Sequence, residues 1–182
     1  MPTYVGLLRA INVGGRRKLP MATLRALMDD LGHSEVTTYI QSGNVVFAAA
    51  VDDIAELEAS IEAAIAEEVG FEVPVTIRTH DELAAAVAAN PYLEGDVDPA
   101  RVGIAFLKDP PAPDRATGIE RQDHGPDELV VAGREVHLHC PNGFGQTTLT
   151  TTYLERELGV VATVRNAKTV AKLLELSAPT AA

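Results

Sequence analysis

The apolar positions of this chain switch between two periods, and the switches mark its elements. "TYVGLLRA" is short and almost wholly apolar, which predicts a buried strand. In "LPMATLRALMDDLG" the residues Leu24, Leu27, Met28 and Leu31 recur at i, i+3, i+4 and i+7, one face of a helix, and Gly32 supplies a natural stop. "VTTYIQSGNVVFAA" sets two β-rich runs around Ser42-Gly43-Asn44 and predicts a hairpin with a tight turn. "DDIAELEASIEAAIAEEVG" predicts a helix with acidic residues in its first turn and a stripe of Ile54, Leu57, Ile61 and Ile65. "VPVTIRT" reads as a strand and "HDELAAAVAAN" as a helix ended by Asn90-Pro91.

The second half runs through the same order. "RVGIAFLKD" predicts a strand, followed by the Pro-rich connection "PPAPDRATGIERQDHGP" with one helical turn. "DELVVAGREVHLHC" predicts a hairpin turning at Gly133, "QTTLTTTYLERELG" a helix, "VVATVRN" a strand and "AKTVAKLLELS" a last helix. "VTIRTHDELAAAV" aligns with "ATVRNAKTVAKLL", so that Thr76 matches Thr163, Arg78 matches Arg165 and Leu83 matches Val170. The two hairpin turns match as well. The expected fold is α+β: two tandem ferredoxin-like βαββαβ(α) units with mainly antiparallel sheets. Residues 1–95 form the first unit and residues 96–182 its internal repeat.

Charge changes the picture from one part of the chain to the next. The net formal charge is −11, yet residues 1–50 hold five Lys/Arg against three Asp/Glu. A field this negative overall argues against non-specific nucleic acid and against anionic membrane, while a local basic loop can still hold one anionic group. Cys140 is the single cysteine, so no internal disulfide forms and a cytoplasmic setting fits. The start "MPTYVGLLRAINVGG" lacks the pattern of a signal peptide, and no stretch approaches the ~20 apolar residues of a membrane span. Residues 177–182 read as a disordered tail.

In a βαββαβ sheet of order 4-1-3-2, the loop after strand 1 and the hairpin between strands 2 and 3 lie at the same end. Strands 1 and 3 are neighbours. This brings Arg9, Asn12, Gly14, Gly15, Arg16 and Arg17, with Lys18, opposite Gln41, Ser42, Gly43 and Asn44. Cations, amides, a hydroxyl and glycine N–H groups on one rim suit an oxyanion, a nucleotide or a carboxylate. The loop is neither a phosphate-binding Gly-Lys-Ser/Thr loop nor a dinucleotide fingerprint. A second rim gathers Asn142, Gly143, Gly145 and Thr147, before a helix capped at Thr147 or Thr148, with Arg165 and Asn166 at the end of a neighbouring strand. Glycines before a helix N-terminus favour an anion there too.

Other features point to structure. His137 and His139 share a strand face beside Cys140, but no spacing completes a zinc set and no metal site is expected. Neither Cys140 nor Ser42 has a readable base partner, so nucleophilic catalysis lacks support. The acidic helix over residues 52–68 reads as a solvated face.

The stretches "LLRAINVGGRRKLPMATLRALMDDLG", "TYIQSGNVVF", "NPY", "HLHCPNGFGQTTL" and "ATVRNAKTV" resemble the bacterial family catalogued as domain of unknown function 1697, over nearly the whole chain. The resemblance implies a fold and a cytoplasmic bacterial protein, and no established activity or cofactor. Family-like positions are Arg9, Asn12, Gly14, Gly15, Met21, Ser42, Gly43, Asn44, Asn90, Pro91, Pro141, Gly143, Gly145, Thr163, Arg165, Asn166 and Thr169. The chain departs from the family pattern at Ala10, where Gly is usual, and at Ala167-Lys168, which replaces a Trp-Asn pair. Two readings follow. One is a protein that binds a small phosphate- or nucleotide-like anion at the first rim. The alternative is a non-enzymatic regulatory or interaction module that meets a protein or RNA partner through its sheets.

Overall fold

A computed structural model describes residues 1–179. The first apolar run forms β1 (Thr3–Leu8), and the helical stripe forms α1 (Met21–Asp30), burying Met21, Leu24 and Met28. The hairpin strands are β2 (Ser34–Tyr39) and β3 (Asn44–Ala48). Next come α2 (Ile54–Val69), β4 (Val75–Thr79) and α3 (His80–Ala88). Asn90 then caps a 3-10 turn at Pro91–Leu93, accepting the amide of Tyr92 at 3.0 Å. The order continues with β5 (Val102–Leu107), α4 (Pro113–Glu120), β6 (Glu128–Ala132) and β7 (Glu135–His139). It closes with α5 (Thr151–Leu158), β8 (Ala162–Asn166) and α6 (Ala167–Leu176).

The fold is α+β, with two four-stranded antiparallel sheets ordered β2-β3-β1-β4 and β6-β7-β5-β8. Arg78 pairs across the first sheet with Val5, and Arg165 across the second with Ile104. Strand alternation sends successive side chains to opposite faces. In the first sheet Tyr4, Leu8, Val45, Phe47, Val75 and Ile77 join α1 and α2 in one apolar core. On the other face Val5, Leu7, Asn44, Val46, Thr76 and Arg78 are buried too. The second sheet behaves alike: Ala105, Leu107, Val136, Leu138 and Ala162 face α4 and α5, while Ile104, Phe106, His137, Thr163 and Arg165 are buried opposite.

Several expectations change. The Pro-rich connection holds not one helical turn but the eight-residue α4, because Pro113 sits in its first turn, where the missing N–H costs nothing. The first hairpin turns through four residues, Ile40 to Gly43, between the paired Tyr39 and Asn44, so no two-residue turn forms there. The second does turn in two, with Gly133 at φ +60°. The acidic helix is not a simply solvated face. β4 is a sheet edge whose outward N–H groups need acceptors. Glu62 accepts Val75 N–H at 2.7 Å, the buried Glu58 accepts Ile77 N–H at 2.9 Å, and Glu82 accepts Thr79 N–H at 2.9 Å. Glu155 accepts Ala162 N–H on the edge strand β8 at 3.0 Å. Part of the chain's negative charge therefore terminates sheets.

By packing, the chain forms two units: Met1–Ala84 with the stretch from Lys172, and Ala85–Ala171. The breaks between these units fall within α3 and α6. Within the first unit, the expected tail starts out ordered: Ser177 is buried, and its Oγ lies 3.0 Å from His80 Nδ1. The last three residues of that expected tail lie outside the described residues. Among the described residues, no helix is long and apolar enough to cross a membrane.

Candidate functional site

The loop after β1 folds into a miniature hairpin. Val13 and Arg16 form a bridge around Gly14 (φ +58°) and Gly15 (φ +74°), a turn with both central residues left-handed that glycine alone adopts at no steric cost. Asn12 holds this hairpin against the rest of the rim. Its Nδ2 donates to the carbonyls of Leu19 at 2.9 Å and Gln41 at 2.8 Å, and its Oδ1 accepts Leu19 N–H at 2.9 Å. The loop after β1 and the β2–β3 connection therefore meet, as strand order requires. The contact is made by the candidate ligand group itself, whose amide is spent on it.

Arg17 is also committed. Its Nε donates to Ala10 carbonyl at 3.1 Å, another guanidinium nitrogen donates to Glu72 carbonyl, and the guanidinium carbon stands 5.0 Å from the centroid of the Phe71 ring. Asn44 is fully buried and donates to Tyr39 carbonyl at 3.0 Å and Ser42 Oγ at 2.9 Å. Arg9 is half-buried, and its backbone amide donates to Pro74 carbonyl at 2.9 Å. Arg16 and Lys18 differ: both side chains are exposed and have no partner among the described residues. Residues 1–28 hold five Lys/Arg and no Asp/Glu, so nothing in that stretch neutralises them.

Backbone strain concentrates here. Of the non-glycine residues at positive φ, Ala10, Asn12, Arg17 and Ile40 all lie on this rim. A β-branched residue such as Ile40 at φ +49° is uncommon, and strain of this kind persists only where the surroundings hold it.

The second rim divides. A cleft of about 360 Å³ opens between the end of β8 and the start of α5, and Thr147 and Asn166 line it. Arg165 does not: neighbouring residues of a strand face opposite ways, and Arg165 is buried on the face away from the cleft. Burial lowers its guanidinium pKa to about 10. Gly143 (φ +89°) serves a turn, its amide donating to Cys140 carbonyl at 2.8 Å, and a Cβ there would meet Arg101 at 2.8 Å. Asn142 and Gly145 belong to the same turn region and do not line the cleft.

The helix begins later than its sequence suggests. Thr150, not Thr147 or Thr148, is the N-cap, accepting Tyr153 N–H at 3.2 Å. Thr147 Oγ1 instead accepts Leu149 N–H at 3.0 Å and donates to Asp127. The glycines thus stand too far from the helix start to form an anion site with it. Phe144, Leu149, Thr150, Thr151 and Val164 complete the lining. Strand period could have flagged Val164 with Asn166; nothing local flags Phe144.

Cys140 is fully buried, and its thiol pKa is raised chiefly by that burial. His139 Nδ1 lies 3.2 Å from Glu128, and its ring stacks on Tyr92 at 5.7 Å. His137 shares that strand face and is buried beside Ile104, on the side of the sheet away from α4 and α5.

The chain is similar to the solved structure of the conserved bacterial protein SP0830 from Streptococcus pneumoniae, at 24% identity and a TM-score of 0.78, covering 97% of this chain and 99% of that one. That likeness is one of fold. None of the curated proteins matches the sequence. The family model described as "Protein of unknown function (DUF1697)" matches residues 1–137, short of the near-complete span the motifs suggest, and by that match the protein belongs to the DUF1697 family.

Proposed function

We propose that the protein binds a compact anion, phosphate- or nucleotide-like, at the N-terminal rim, with Arg16 and Lys18 as the charged contacts. The observation that carries this reading is the division of labour in the loop. Asn12 and Arg17 are spent on shaping it, while the side chains of Arg16 and Lys18 are exposed and have no partner among the described residues. A preset loop loses little freedom on binding. The acidic remainder of the chain disfavours long polyanions, which favours a compact ligand. The reading also takes the two sheets as ferredoxin-like units arisen by internal duplication, with sequence halves at 1–95 and 96–182, in a cytoplasmic bacterial protein. Equal strand order in the two sheets supports duplication. The alternative, docking of a protein or RNA on the sheets, needs an open sheet face, and the central strands are buried on both faces.

The test is thermal stabilisation by inorganic phosphate and by mononucleotides at low salt. A charge-assisted hydrogen bond contributes about 1.5–3 kcal/mol, so losing one weakens binding by roughly tenfold or more. Arg16→Ala/Lys18→Ala should abolish the stabilisation and leave the unliganded melting temperature within about 1 °C of wild type, since exposed substitutions cost little. Equal stabilisation of wild type and double variant across the panel refutes the reading.

A further inference from the structure

We propose that the cleft between β8 and α5 is a separate binding site for an uncharged aromatic ligand that carries a carbonyl acceptor. At about 360 Å³ it is the size of a small-metabolite pocket. Its apolar wall is Phe144, Leu149 and Val164. The Phe144 ring has a built seat. A Cβ on Gly103 of β5 would lie 2.6 Å from Phe144 Cζ, so the ring fills the space that glycine leaves. The aromatic surface is in place before any ligand arrives.

The polar groups select the ligand's chemistry. Asn166 Oδ1 accepts Thr169 N–H at 2.9 Å, which fixes the orientation of the amide. Only its NH2 remains, with no partner among the described residues. Thr150 Oγ1 accepts Tyr153 N–H at 3.2 Å and keeps its own proton to give. Thr147 Oγ1 is spent on Asp127 and Leu149. The unspent Asn166 NH2 only donates, and the Thr150 and Thr151 hydroxyls can donate as well as accept, so the group that matches this lining is an acceptor on the ligand. Among the described residues no Lys or Arg lines the cleft, and the Asp127 carboxylate stands behind Thr147. An anion would lose its hydration without a counter-charge, which favours a neutral carbonyl over a carboxylate or phosphate.

Benzamide, benzoate and benzamidine share one ring and differ at the polar group, so they test this directly in NMR titrations of the full chain. Benzamide should shift the Asn166 side-chain amide and the Phe144 ring signals, and benzoate and benzamidine should bind about fivefold or more weaker. Asn166→Asp keeps an acceptor for Thr169 N–H but removes both donors, and should weaken benzamide by about tenfold. If that variant alters the spectrum of the whole fold, Phe144→Leu gives the second measurement, with an expected loss of about threefold or more. Arg16→Ala/Lys18→Ala should bind benzamide as wild type does, which separates this site from the rim. Absence of benzamide shifts at this cleft overturns the proposal. So does tighter binding of benzoate, or undiminished binding by both cleft variants.

Discussion

Gly43→Ala tests whether the two segments of the N-terminal rim are locked together by close packing. Gly43 sits at φ +84°, and its carbonyl accepts Leu8 N–H at 2.8 Å. A Cβ added there would lie 2.7 Å from Leu8 Cβ, 2.8 Å from Ile11 Cδ1 and 3.0 Å from Ile11 Cγ1. Leu8 Cβ cannot yield without moving β1, and both Leu8 and Ile11 are buried. Two costs add: about 1–2 kcal/mol for holding an L-residue in the left-handed region, and about 1–3 kcal/mol for overpacking, roughly 2–5 kcal/mol together. Gly14→Ala isolates the first cost, because Gly14 has φ +58° and nothing within 4 Å of its added Cβ. Urea unfolding followed by circular dichroism should place Gly43→Ala below Gly14→Ala by about 1–3 kcal/mol. Its melting temperature should fall by roughly 4–20 °C, at about 2–4 °C per kcal/mol for a chain of this size. Equal destabilisation by the two substitutions would refute the close-approach argument.

Two further outcomes are expected. Burial lowers the pKa of His33 and of His137, so the unfolded chain takes up these protons first; their contribution to stability is complete above about pH 6.5 and is lost as pH falls through the folded-state values. The urea midpoint of wild type should therefore fall between pH 7 and pH 5 more steeply than that of His33→Phe/His137→Phe, and parallel curves would contradict this. Cys140 is buried with a raised pKa, so a thiol reagent should modify it only as the protein unfolds, and Cys140→Ser should keep the fold by circular dichroism; rapid native labelling would show the burial argument wrong.

What the sequence determined by itself is the set of elements and the ends at which they meet. Periodicity sufficed for α1, α2 and the hairpins, because a helix or strand with one buried face must repeat its apolar residues at its own period. The meeting of Asn12 with the residue 40–43 connection was legible too, since it follows from strand order and direction. Element boundaries set by competition were not. Thr147 and Thr148 read as the caps on paper, but Thr150 takes the role while Asp127, twenty residues away in sequence, engages Thr147. The roles of the rim groups were likewise decided only in three dimensions. Asn12 and Arg17 have the chemistry of ligand contacts, but they donate to the main-chain carbonyls of Leu19, Gln41, Ala10 and Glu72. Glu58 and Glu62 read as solvated acids until β4 became a sheet edge with N–H groups to satisfy. The physical reason is common to these cases. Local sequence sets what a side chain can offer, whereas the obligation to pair every buried donor and acceptor is discharged by whichever partner the tertiary fold brings closest.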